Sequence, residues 1–178
     1  MRIRRLAAIT LLSGLSACGT VSTNGQVASN YRESDYSVAG HNRDMWVVVA
    51  GSVPGSDAAT LQQQTLATMQ RYAGIKTHFT ATPRNHNREY KTVLLFNGPD
   101  NIQASELCRN SNPQVAPASG GNLRLQAVFC RNDQFLTEVH ADARGGNSLS
   151  NPNFNALIRQ TMTGIYAAAR EEQRDPDN

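Results

Sequence analysis

Residues 45–50 (Met-Trp-Val-Val-Val-Ala) and 93–96 (Val-Leu-Leu-Phe) are apolar at every position. Such runs predict strands covered on both sides and central in a sheet. The second run extends back to Tyr90. Residues 75–82 alternate instead, with Ile75, Thr77, Phe79 and Ala81 against Lys76, His78, Thr80 and Thr82. That pattern predicts a strand with one wet face, ended by Pro83. Leu123, Leu125, Ala127 and Phe129 form one apolar row, and Thr137, Val139, Ala141 and Ala143 form another. Asn132-Asp133 lies between them as a hairpin turn. A two-residue loop would pair Arg131 with Gln134 and set Ala127 opposite Glu138. A three-residue loop keeps both rows on one face, and that register is expected.

Two stretches carry helical spacing. Ala58, Leu61, Thr65, Met69 and Tyr72 share a stripe, with Ser56 or Asp57 placed to cap it and Gly74 to stop it. Phe154, Leu157, Ile158, Met162 (or Thr161), Ile165, Tyr166 and Ala169 mark the clearest amphipathic helix, with Asn151 as cap and Pro152 in the first turn. A shorter helix is expected over 102–107. Residues 110–121, with Pro113, Pro117, Gly120 and Gly121, read as an irregular loop.

The order is therefore β-α-β-β-(short α)-β-β-α. Its first six elements match the split βαβ, or ferredoxin-like, plan. The expected fold is α+β, a two-layer sandwich whose ferredoxin-like sheet gains a fifth strand by hairpin and which ends in an amphipathic helix. The alternative is a different mixed order with helices on both faces. If all helices cover one face, Val47, Val49 and neighbours from 93–95 are left on the other as an interaction surface. The long loop, a helix or the N-terminal segment could cover it instead.

The chain opens with Arg2, Arg4 and Arg5, an apolar run over 6–15, and then Leu15-Ser16-Ala17-Cys18. A basic start, a short apolar stretch and small residues form a secretory signal. The apolar run is too short to span a bilayer, which takes roughly 20 residues. With the Cys directly after the small residues, the stretch resembles the lipobox of bacterial lipoproteins. The resemblance implies that residues 1–17 are removed and that Cys18 carries a diacylglyceryl group on sulfur and often an acyl group on nitrogen. Several chains together hold a protein on a membrane durably, where one does not. Gly19, in place of an Asp, points to the outer membrane.

On this reading 161 of the 178 residues remain, enough for one domain over 45–172 with a charged tail over 173–178. Residues 18–44 are polar and without period, and read as the lipidated N-terminus and a flexible tether. Tyr31 and Tyr36 could dock on the domain instead. The formal charge of +3 comes from 17 basic and 14 acidic residues. Three of the basic ones are the leading Arg, so the mature chain balances at 14 against 14. With two Lys and scattered Arg, nucleic acid is not an expected partner. Once Cys18 is given to lipid, Cys108 and Cys130 are left. In an oxidising periplasm they are expected to pair; the alternative is two buried thiols.

Chemistry is sparse. Gly-x-Ser-x-Gly, His-Glu-x-x-His and phosphate-loop motifs are absent. His41, His78, His86 and His140 have no second ligand at metal-binding spacing, and no metal or cofactor is expected. The loop over 51–57 enters a helix, but Asp57 would itself occupy that anion-attracting end. Glu138, His140 and Asp142 share one strand face, with Arg124 and Gln126 on the neighbouring strand. These five form a candidate binding strip, or else a solvated face. A Ser148-His140-Asp142 triad has no geometric support. The expected function is a non-enzymatic envelope accessory, anchored on the outer membrane and facing the periplasm, with a protein partner. Binding of a small molecule or glycan is the alternative, and a hydrolase is less favoured.

Overall fold

The computed structural model describes residues 21–110, 113 and 121–166. In chain order the elements are β1 (Val21–Val27), α1 (Asp35–Gly40), β2 (Asp44–Gly51), α2 (Ala58–Arg71), β3 (His78–Thr80), β4 (Tyr90–Phe96), α3 (Ala104–Arg109), β5 (Leu123–Arg131), β6 (Gln134–Ala143) and α4 (Phe154–Ile165). The lipobox, most of the loop over 110–121, Ala169 and the charged tail lie outside the described residues. Among those described, no helix is long and apolar enough to cross a membrane.

The fold is α+β, built on one six-stranded sheet of order β1-β6-β5-β4-β2-β3. β3 and β4 run parallel to β2, and the other neighbours are antiparallel. The two doubly apolar strands, β2 and β4, are interior and adjacent, as their composition requires. The ferredoxin-like order is not found. In that plan residues 123–130 would lie beside 45–50. Here α2 returns the chain so that β3 takes the outer edge of β2, and β5 pairs with the free edge of β4. β3 is also shorter than the alternation over 75–82 implies. Beyond Thr80 the chain turns away, and the Asp44 carboxylate accepts the Arg84 and Asn85 N–H groups at 2.8 and 3.2 Å.

Odd positions of β2, β5 and β6 and even positions of β4 fill the main core under α2 and α4. Val47, Leu94, Phe96, Leu125, Phe129 and Val139 belong to it. The opposite face carries Ala50, Val93, Leu95, Val128 and Cys130, and α3 packs on it through Ala104, Leu107 and Cys108. Helices therefore lie on both faces, and the two-layer expectation is corrected. Val47 and Val49 do not form an exposed patch; both pack in or against the helix-covered core.

The expected tether is corrected too. β1 pairs along its whole length with β6, from Val21↔Ala143 to Val27↔Thr137. Its side chains are mostly exposed, so it is held by backbone ladder bonds and leaves no apolar alternation to read. Gly25 sits tightly there: a Cβ would come 3.0 Å from the Glu138 carbonyl oxygen and 3.2 Å from Val139. α1 buries Tyr36, whose ring stacks on Tyr166 at 4.0 Å between centroids. Burial pushes both phenols to higher pKa. Asp35, also buried, accepts from the Tyr90 hydroxyl (2.8 Å), Arg131 (3.3 Å) and the Arg32 N–H (2.7 Å).

The β5–β6 hairpin reaches the expected facing of its rows by another route. The loop has two residues, with Arg131 opposite Gln134 and Asn132 at φ 55°. The register then slips between Phe129 and Cys130, with Leu136 as the extra residue. This bulge restores Phe129↔Thr137 and Ala127↔Val139.

Candidate functional site

α3 covers only part of its face of the sheet. Beyond it, β5, β6 and β1 present polar side chains at even positions. The register sets Arg124 opposite Asp142, Gln126 opposite His140 and Gln26 opposite Glu138. All five residues of the expected strip thus share one face. Gln26, within the stretch expected to be a tether, and Asp100 join them.

Glu138 is the centre. It is 4% exposed, so its carboxylate needs partners to offset lost hydration. Gln126 Nε2 donates to Oε1 at 2.7 Å, and His140 Nε2 lies 3.0 Å from the same oxygen. Gln26 Nε2 donates to Oε2. Gln126 also donates to the Ile102 carbonyl at 2.9 Å, which ties the strip to the segment before α3. At the rim, Arg124 pairs with Asp100 and reaches the Gly98 carbonyl at 3.3 Å. The His140 and Arg124 side chains are about half open to solvent, and Asp100 is 85% exposed.

Two clefts flank this network. One, of about 150 Å³, lies over Arg124, Gln126, His140, Asp142 and Asp100. The other, of about 390 Å³, lies between Gln26, Glu138, His140 and residues 100–105. Both offer mixed donors and acceptors on a rigid sheet, with a carboxylate that orients the imidazole. The Ser148 triad is not assembled. His140 Nε2 turns to Glu138, and Ser148 Oγ bonds Ser150 Oγ at 2.9 Å. Among the described residues no group of three or more His, Cys, Asp or Glu is placed to hold a metal ion.

Glu138→Gln is expected to destabilise the fold by about 1–3 kcal/mol. One amide NH₂ would then face donors that now reach an oxygen, leaving a buried donor unpaired. Chemical denaturation measures this; an unchanged midpoint would show that the carboxylate is not the hub described.

The other sequence candidates lie elsewhere. His78 Nδ1 sits 3.1 Å from Asp44 at the β2–β3 edge. The Arg84 N–H, above all, holds the Asp44 carboxyl below its usual range, with Asn85 and His78 adding to the effect. His86 meets the Trp46 ring edge-on at 6.2 Å, and His41 caps the C-terminus of α1. Asp57 caps α2 by accepting the Thr60 N–H and hydroxyl, each at 2.8 Å, so that helix start is already occupied. Cys108 and Cys130 form a disulfide, with Cα atoms 5.6 Å apart.

No family model matches the chain, and no curated protein matches it by sequence. Two solved structures of PelC from Paraburkholderia phytofirmans align with 83% of this chain and 98% of their own. They are the dodecamer in space group P6, at 10% identity, and the dodecamer of a point variant in space group C2, at 8%; each gives a TM-score of 0.48.

Proposed function

We propose that this chain is a lipid-anchored lipoprotein of the bacterial envelope, held on the outer membrane and facing the periplasm. There it serves as a non-enzymatic accessory that docks a protein partner. The observation that carries the reading is the disposition of its cysteines. Cys108 and Cys130 are bonded to each other, in keeping with an oxidising compartment. Cys18 follows Leu15-Ser16-Ala17 and precedes the first strand by three residues. The half-open rim of Arg124, Asp100 and His140, set on a rigid sheet, supports the docking role. A small polar ligand or glycan is the second reading, favoured by the 390 Å³ cleft beside Gln26, Glu138 and His140.

Fractionation of cells fed a labelled fatty acid tests the anchor. The wild type is expected in the membrane fraction and labelled, and Cys18→Ser unlabelled and uncleaved. An unlabelled wild type in the soluble fraction would end the reading. A photo-crosslinking side chain at Asp100 tests the docking role by forming an adduct with an envelope protein. No adduct, together with glycan-dependent NMR shifts at His140, would decide for the second reading.

A further inference from the structure

We infer that the anchored body meets the bilayer with one defined end, formed by the loops at residues 52–57, 97–101 and 144–153. This rests on the lipoprotein reading and adds to it an orientation and a partner, the lipid headgroup surface into whose leaflet Cys18 inserts. The argument is one of reach. Cys18 is three residues before Val21, and three extended residues span at most about 10 Å. Val21 is not free to swing out, because it begins a seven-residue ladder with β6. The acylated sulfur therefore lies close to whatever surrounds the start of β1.

The register identifies those surroundings. Val21 lies opposite Ala143, Ala143 opposite Leu123, Leu125 opposite Phe96, and Phe96 opposite Gly51. The same end of the sheet thus carries the exits of β2, β4 and β6. The Asn132–Asp133 turn lies at the far end of nine-residue β5, roughly 30 Å away at strand rise. Among the described residues the near end is not a basic patch. Exposed Arg144 stands there with exposed Asp57, and Arg124 is paired to Asp100. The apposition thus comes from the short covalent connection and needs no anionic lipid. Arg124 and Asp142 lie one or two residues from this end, so a partner of the polar strip must itself approach the membrane surface.

The test uses the lipidated protein in phosphatidylcholine vesicles containing headgroup-nitroxide lipid. A fluorescent amino acid is placed by codon suppression at Ser148 or at Asp133, leaving every cysteine intact. Several-fold stronger quenching is expected at Ser148 than at Asp133. A twelve-residue Gly/Ser spacer after Gly19, roughly 20 Å root-mean-square in length, should abolish the difference while the protein still sediments with vesicles. Equal quenching at both sites, in protein of lipid-modified mass that sediments with vesicles, would overturn the orientation alone. Quenching undiminished by the spacer would overturn the short connection as its cause. A chain of unmodified mass that stays free of vesicles would sink the lipoprotein reading and this inference together.

Discussion

Phe129→Ala is expected to lower the stability of the fold by about 3–5 kcal/mol, the usual cost of deleting a buried ring and leaving a cavity. Phe129 is fully buried and sits where three parts of the chain meet. Its ring stacks near Tyr90 at 5.7 Å and meets Tyr166 edge-on at 5.5 Å. Tyr166 in turn stacks on Tyr36 of α1, and its hydroxyl is 2.5 Å from Thr92 Oγ1 on β4. The cavity would be walled by rings whose hydroxyls are already engaged by Thr92 and Asp35, so collapse into it would break those bonds. Urea denaturation should show the full loss, and hydrogen exchange should show α1 opening before the sheet. A loss under about 1 kcal/mol would mean that the site closes over and the aromatic junction does not bind these elements together.

Removing the disulfide with Cys108→Ala and Cys130→Ala together should cost about 3 kcal/mol. The bridge spans 22 residues, and the chain-entropy relation for a loop of that length returns about that figure. α3 has only six residues, too short to be stable alone, and it covers the second core largely through Ala104, Leu107 and Cys108. Without the bridge, α3 would be held by those contacts and the Gln126–Ile102 bond. Wild-type protein in reductant should fall towards the double variant, which should ignore reductant. A wild-type midpoint insensitive to reduction would show that the sheet holds α3 unaided.

The polar strip was legible for a definite reason. In an antiparallel hairpin one register decides every facing, and two apolar rows that must share a core leave their complements together on the other side. Arg124, Gln126, Glu138, His140 and Asp142 follow from that rule, although the bulge at Leu136, and not a three-residue loop, achieves it. That Gln26 and Asp100 complete the strip did not follow. Gln26 is 112 residues from Glu138 in sequence, and Asp100 accepts from Arg124 on the turn that precedes α3. Neither position carries a local signal, since a lone Gln or Asp in a polar stretch has many equivalent settings.

The same division runs through the whole molecule. By itself the sequence determined the interior strands, the two amphipathic helices, the hairpin facing and the α+β class, because burial of one stripe or one face writes a period into neighbouring residues. Only the tertiary structure decided that residues 21–27 form an edge strand, that β3 takes the outer edge of β2, and that α3 lies on the opposite face from α2 and α4. An exposed edge is held by backbone bonds that any residue except proline can make. Strand order and helix side are set by which edge and which face remain free when each element arrives. Neither leaves a mark in local composition.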